Sequence, residues 1–242
     1  MTQFSPVSAV SEAIRGAFTH FGEMVRLVWL AGVVYIALSA FGGYFEVQGH
    51  PMIALLMNLG TLIVSPMIAV AWHRFIILGA QDEGTYFRFG HREAKFLGAT
   101  FLLVLPMVPA IVLALSTGML GMGDGPNPIL ALLTIVALAA GFYYIIRLSL
   151  LLPAVAIDQP FDIAAILRLT RGHFWRLFTA FFMFGIIMLV AAALTGTMLY
   201  VLPLAGIVLL PLVLILFQII GVAILSIAYR DLSAGPAPVL AP

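Results

Sequence analysis

The stretch FYYIIRLSLLLPAVAID, Phe142 to Asp158, carries a single cation, Arg147, in surroundings that otherwise suit lipid. No other Asp, Glu, Lys, Arg or His occurs between Asp124 and Asp158. As one helix, the segment between those two aspartates would extend roughly 50 Å, well beyond a hydrocarbon core of about 30 Å. We therefore expect Arg147 to mark the boundary between bilayer and water, with Tyr143 and Tyr144 in the aromatic belt just inside it.

The residues after Arg147 predict a break in the helix. Proline cannot continue a straight helix cheaply, so Leu148 to Ile157 should leave the bilayer normal near Pro153. The alternative is one long tilted helix whose Arg147 side chain reaches to the headgroups. The proline and the excess length favour the break.

The composition of the whole chain is that of an integral membrane protein. Hydrophobic residues make up 63% of the 242 residues and charged residues 9%, with a mean hydropathy of +1.17. Apolar runs of about twenty residues recur, which predicts an all-α, polytopic helical bundle. We expect one membrane domain over residues 1–242, with an amphipathic helix in 1–26, six spans in 27–229 and a tail in 230–242. The predicted spans are Leu27 to Phe45, Pro51 to Trp72, Phe96 to Thr117, Pro128 to Ile146, Leu177 to Leu202 and Pro203 to Tyr229.

The eleven cations fall only in alternate connections between these spans. They are Arg15, Arg26, Arg74, Arg88, Arg92, Lys95, Arg147, Arg168, Arg171, Arg176 and Arg230. The other connections, GGYFEVQGH, GMLGMGDGPNP and a turn near Pro203, contain no Lys or Arg. By the positive-inside rule, this distribution predicts that both termini are cytoplasmic.

Two amphipathic stretches precede spans one and five. The first begins at Ser5-Pro6, a favourable helix start, and has helical spacing of its apolar residues. We expect both stretches to form helices in the cytoplasmic interface. Their predicted apolar residues are Val7, Val10, Ile14, Phe18 and Phe21 in the first stretch, and Ile163, Ile166, Leu167 and Phe174 in the second.

The two amphipathic stretches also align with each other. IRGAFTHF, from Ile14, matches LRLTRGHF, from Leu167, at an offset of 153 residues. Half that offset leads to FRFGHREAKF before span three, so the chain could hold three copies of interfacial helix, span and span. The alternative is that every inner-leaflet boundary selects aromatic and basic residues.

The sequence RLSLLLPAVAID followed by ILRLTRGHFWRLF resembles a family of bacterial multi-span membrane proteins. Its members are similar to the membrane domain attached to some glycerophosphoryl diester phosphodiesterases, and WHRFIILG and GHREAKFLG extend the resemblance. The resemblance implies a six-span fold in the bacterial cytoplasmic (inner) membrane, with no settled activity. No segment outside the spans is long enough for a phosphodiesterase domain, so the resemblance implies no enzyme activity here.

The predicted spans contain few side chains that could catalyse a reaction or bind an ion. None has a charged residue near its middle, which ion-coupled transporters usually keep. Asn58 and Gln218 could line a polar cavity, although such side chains more often join helices. Cysteine is absent, and the five histidines, which we place at interfaces and in loops, form no metal-binding pair on one helix face. We therefore identify no catalytic residue, cofactor site or metal site.

These observations favour a non-enzymatic membrane protein that acts through the basic interfacial helices. It would be a scaffold, an assembly factor or a lipid-interacting module, with membrane lipids and other membrane proteins, but no nucleic acid, as partners. The alternatives are a permease or flippase for an apolar or amphipathic substrate and, with least support, an enzyme acting on lipid. The cations could also serve topology and anchoring alone. The candidate residues for contact with anionic lipid or a partner are Arg15, Arg147, Arg168, Arg171 and Arg176.

Overall fold

The computed structural model describes residues 4–79, 86–116 and 127–234, and all regular structure in this part of the chain is helical. The α-helices are α1 (Pro6–Thr19), α2 (Phe21–Val47), α3 (Pro51–Leu78), α4 (His91–Val104), α5 (Val108–Ser116), α6 (Pro128–Leu148), α7 (Leu151–Ala156), α8 (Ile163–Leu169), α9 (Phe174–Val201) and α10 (Pro203–Ser233). Counting α4 with α5 and α6 with α7, six helical stretches are long and apolar enough to cross a membrane. The predicted all-α bundle of six spans is confirmed.

The helices extend past the predicted spans at the end where cations occur. α2 begins at Phe21 and α3 continues to Leu78, because their charged turns remain helical beyond the apolar stretch. The predicted end of span three, Thr117, lies outside the described residues.

The spans pack as three hairpins around a centre made by α3, α7 and α10. The hairpins are α2 with α3, α5 with α6, and α9 with α10, while α3, α7 and α10 all contact one another. In the apolar window of α10, 56% of residues are buried, against 11% in α9. α10 is therefore a central helix, and α9 presents most of its surface to the surroundings.

The third span changes its helix type where it passes the fourth. A 3-10 turn, Leu105–Met107, separates α4 from α5 and contains Pro106. Gly141 of α6 lies against this turn, so that a Cβ added to it would come within 2.8 Å of the Pro106 carbonyl oxygen and 2.5 Å of Met107 Sδ. The absence of a side chain at Gly141 thus allows α6 to approach the turn closely.

The break after Arg147 occurs one turn earlier than predicted. α6 ends at Leu148, whereas Pro153 lies inside the short helix α7. Because Pro153 has no N–H, the Ser149 carbonyl lacks its α-helical donor and accepts instead from the Leu152 N–H, at 3.2 Å. α7 does not lie in the interface: five of its six residues are buried in the centre of the bundle.

The first amphipathic helix is present, and its buried face is made of residues that the sequence pattern did not single out, apart from Val10. α1 packs against α9 and α10 through small residues, with Ala9, Ala13 and Ala17 buried beside Val10. Phe18 is largely exposed. Small side chains let the helix backbones approach closely, so the larger apolar residues point outward to where lipid would lie.

The second amphipathic stretch forms α8, which begins with Asp162 accepting from the Ala165 N–H at 2.9 Å. Ile166 is its buried residue. In the middle connection, residues 86–90 are not helical, and residues 80–85 lie outside the described part. Helices are thus observed in the stretches before spans one and five, but not in residues 86–90 before span three.

Candidate functional site

All eleven cations lie at one end of the bundle, called here the basic end. α3, α6 and α10 finish there and α2, α4 and α9 begin there, each with Lys or Arg in or near its last or first turns. Contacts between chain segments confirm the shared location. Arg74 of α3 bonds the residue Asp158 after α7, and Arg147 of α6 bonds Thr170, the neighbour of Arg171.

Arg147 joins the fourth span to α8. Its guanidinium donates to Thr170 Oγ1 at 3.2 Å, to Tyr143 OH at 3.0 Å and to the Leu167 carbonyl oxygen. The last of these acceptors is at the end of α8, where helix carbonyls lack intrahelical donors. Arg147 therefore holds α8 in place, and its hydrogen-bonding capacity is largely used within the protein.

Asp158 joins three segments of the basic end. It accepts two bonds from Arg92, at 2.8 and 2.7 Å, and one from Arg74 Nη1 at 2.9 Å. These bonds, first those of Arg92, hold the pKa of the Asp158 carboxyl below its ordinary value. The residue has a left-handed backbone (φ 63°), which Asp tolerates better than most residues. This network links α3, α4 and the end of α7.

Glu93, a buried carboxylate at the start of α4, belongs to the same region. It accepts from the Gly90 N–H at 2.8 Å and from the Tyr86 hydroxyl. Burial, followed by the bond to Glu93, raises the pKa of the Tyr86 hydroxyl. The Tyr86 N–H donates to the Leu27 carbonyl oxygen at 2.7 Å, which ties this segment to α2. Sequence reasoning missed Glu93, although Gly-x-x-Glu before an apolar run resembles a helix start.

A cleft of about 480 Å³ opens at the basic end between α1, α3 and α10. Its floor includes Trp72, which is buried and stacks on Phe75 with ring centroids 5.1 Å apart. At its rim, Arg230 bonds Glu12 at 3.0 Å and so fastens α10 to α1. Arg15 also lines the rim, is exposed, and has no ion pair with any described residue.

The region from α8 to the start of α9 carries three of the predicted cations, and two of them are exposed. Arg168 is 72% exposed and only 3.8 Å from Asp162, and Arg171 is exposed. Trp175 is 73% exposed beside the half-buried Arg176. We call Arg168, Arg171, Trp175 and Arg176 the α8–α9 surface.

Asn58 and Gln218 occupy different environments. Gln218 Nε2 donates to the Ser65 hydroxyl at 2.7 Å and to the Ser65 carbonyl at 3.1 Å, so it joins α10 to α3. Asn58 lines a cavity of about 270 Å³ toward the opposite end of the bundle, and Gln218 does not line that cavity. The structure therefore does not bring the two amides together around one space.

The sequence pattern placed His73 at the inner interface, and His73 is next to Arg74 of the basic end, but its side chain is buried between helices. It lies within α3, is fully buried, and its Nδ1 is 2.7 Å from Ser226 Oγ of α10. Among residues 4–79, 86–116 and 127–234, no group of three or more His, Asp or Glu side chains is arranged to hold a metal ion.

Comparison with protein families found no matching family model, and neither the curated proteins nor the solved structures gave a match.

Proposed function

We propose that this membrane protein is a non-enzymatic lipid-interacting scaffold whose α8–α9 surface binds anionic headgroups. A bacterial inner membrane, with the basic end and both termini in the cytoplasm, is part of the proposal, as is kinship with the membrane domains named above. The observation that carries it is a difference between the cations. Arg74, Arg92, Arg147 and Arg230 are engaged in contacts between helices, whereas Arg168 and Arg171 are exposed and lie close in the chain to the exposed indole of Trp175.

The physical basis is the negative surface of the cytoplasmic leaflet. Each cation near that surface contributes about 1 kcal/mol of attraction, and Trp prefers the depth of the headgroups. The α8–α9 surface offers both kinds of group within nine residues of chain. Arg15 lies outside the α8–α9 surface, at the rim of the cleft beneath α1. It is a further exposed cation, and it has no acidic partner among the described residues.

Tryptophan quenching tests the proposal directly. In a Trp29→Phe background, Trp175 is the exposed indole, since Trp72 is buried. The protein would be reconstituted in phosphatidylcholine vesicles containing a fixed fraction of brominated phosphatidylglycerol or, in parallel, brominated phosphatidylcholine. We expect stronger quenching by the brominated phosphatidylglycerol, because this lipid is enriched around Trp175.

The triple variant Arg168→Gln, Arg171→Gln and Arg176→Gln should remove that excess quenching. The matched control is Arg88→Gln with Lys95→Gln, which also removes exposed cations of the basic end but leaves the residues of the α8–α9 surface unchanged. If the two brominated lipids quench Trp175 equally in the protein whose α8–α9 surface is unchanged, the proposal is contradicted.

A second candidate is a permease for an amphipathic substrate. The observation that favours it is the 270 Å³ cavity, which Asn58 and Thr61 line within the span region and Glu46 lines near the end of α2. A counterflow assay in vesicles, comparing the protein with a variant whose cavity is filled, would distinguish transport from binding alone.

A further inference from the structure

The end opposite the basic end carries the cavity that Asn58 lines. The cavity lies between α2, α3, α9 and α10. Its residues extend from Glu46, in the last turn of α2, to Tyr35, a distance of roughly 16 Å along the helix. That is about half of a hydrocarbon core. The space therefore leads from one surface of the bundle toward its middle.

The lining separates apolar and polar groups in a way that suits an amphiphile. Its apolar wall consists of Val47, Leu199, Leu210, Pro211 and Leu214. Its polar groups are the side chains of Tyr35, Ser39, Glu46, Asn58 and Thr61. Ligand sites are commonly mainly apolar with a few convergent polar groups.

The charged residues at this end indicate the charge of the ligand that the cavity can bind. Glu46 is the only carboxylate among the described residues that line the cavity. All eleven Lys and Arg lie at the basic end, so none of them neutralises it. His50 is the nearest basic residue in sequence, and it forms no ion pair with Glu46. An anionic headgroup would find no cation here, whereas an ammonium group would find an uncompensated carboxylate.

Asn58 provides a second polar contact below the carboxylate. Its side-chain amide has no hydrogen-bond partner among the described residues, and the Thr61 hydroxyl bonds its backbone carbonyl at 2.6 Å instead. Gly42 makes room for it, since a Cβ on Gly42 would lie 3.2 Å from Asn58 Oδ1. The amide is thus placed to accept from, or donate to, a bound molecule.

We propose that this cavity binds a monocationic amphiphile, with an ammonium group at Glu46 and an aliphatic chain along the leucine wall. The inference concerns the end opposite the α8–α9 surface and does not rest on lipid binding there.

The test is calorimetric titration of the full chain in phosphatidylcholine nanodiscs with octylammonium, octanol and octanoate. These probes share a chain length and differ in charge. We expect saturable binding of one octylammonium per chain, about two- to fivefold tighter than that of octanol, because Glu46 is exposed and a solvated ion pair contributes only that much. Octanoate should bind more weakly than octanol.

Two variants with matched controls connect the binding to the cavity. Glu46→Gln should weaken octylammonium binding about two- to fivefold and leave octanol binding unchanged, whereas Glu23→Gln, at the basic end, should change neither. Gly43 lines the cavity and has open space beside it. Gly43→Leu should therefore fill the cavity and abolish the binding of octylammonium and of octanol. Gly98→Leu, which also meets no neighbour, is the control.

The inference is overturned if octanol and octylammonium bind the unmodified protein equally, if no saturable binding occurs, or if Glu46→Gln binds normally. Thermal denaturation before each titration shows whether a variant is folded. Should Glu46→Gln fail to fold, unchanged octylammonium binding by Gly43→Leu would overturn the inference by itself.

Discussion

His73 of α3 and Ser226 of α10 form a buried hydrogen bond of 2.7 Å between residues 153 positions apart in the chain. The pair Ser65 and Gln218 has the same separation and joins the same two helices. α3 and α10 therefore run parallel in one register, with the two pairs roughly 12 Å apart along the axes. The offset equals that between the two amphipathic stretches of sequence, as expected if the first and third hairpins are equivalent units.

The His73–Ser226 pair predicts non-additive stability changes. The Ser226 hydroxyl donates to the Val222 carbonyl at 2.9 Å, which leaves His73 Nδ1 as the donor of the pair. Ser226→Ala should lower the free energy of unfolding by about 1–3 kcal/mol, because a buried donor loses its acceptor. Adding His73→Leu should recover part of that loss. Thermal denaturation of the single and double variants in detergent measures both, and strictly additive losses would contradict the prediction.

Arg147 should prove to be structural rather than lipid-selective. Arg147→Gln removes the contacts to Thr170 and the Leu167 carbonyl, and we expect a loss of about 1.5–3 kcal/mol. Arg147→Lys should restore little, since an ammonium group cannot reproduce the guanidinium geometry. Denaturation provides the first measurement, and the brominated-lipid quenching at Trp175 provides the second. A changed headgroup preference in a folded Arg147→Lys protein would count against this assignment.

Asp158 should contribute to acid sensitivity. Because its pKa is lower in the folded than in the unfolded chain, ionised Asp158 favours folding above its ordinary pKa of about 3.9. That contribution disappears as the pH falls through the lowered pKa of the folded state. The melting temperature should thus decline on acidification below about pH 4, and less so in Asp158→Asn. The difference should be modest because the carboxylate is about half exposed. Parallel pH profiles for the two proteins would contradict the prediction.

Gly141 should tolerate no side chain. An alanine Cβ there meets the backbone oxygen of Pro106, which cannot rotate away, so Gly141→Ala should destabilise by about 1–3 kcal/mol. Gly98→Ala is the control, because its Cβ meets nothing within 4 Å and alanine favours the helix. Equal melting temperatures for the two variants would show that the third and fourth spans are not as close as described.

The sequence predicted the spans well because apolar length and the placement of charge are local properties. It could not reveal partners far apart in the chain, such as Arg92 with Asp158 or Ser65 with Gln218, which depend on how hairpins pack. The buried face of α1 was not predicted, because its small residues give little periodic signal beside the larger apolar ones. Close helix packing selects alanine there, while Val7 and Phe18 remain exposed.

The break in the fourth span illustrates another limit of sequence reasoning. Pro153 indicated the region of the helix break but not its exact position. Because proline has no N–H, the hydrogen bond is lost at the carbonyl four residues earlier, and the helix is interrupted there. A buried helix was also unexpected after Arg147, since burial of α7 depends on the space between α3 and α10. For the candidate site, the exposed cations were predictable, whereas the separation of Asn58 from Gln218 required the packed helices.

The orientation of the basic end is tested most directly by single-cysteine labelling, for which the chain has no native cysteine to remove. Cysteine would replace Gln48, after α2 at the end opposite the cations, or Gln159, beside Asp158 at the basic end. In intact cells whose outer envelope admits a membrane-impermeant maleimide, we predict labelling at position 48 and none at 159 until the cells are lysed. Labelling at 159 with protection at 48 would contradict the orientation and, with it, the proposed binding of cytoplasmic anionic lipid.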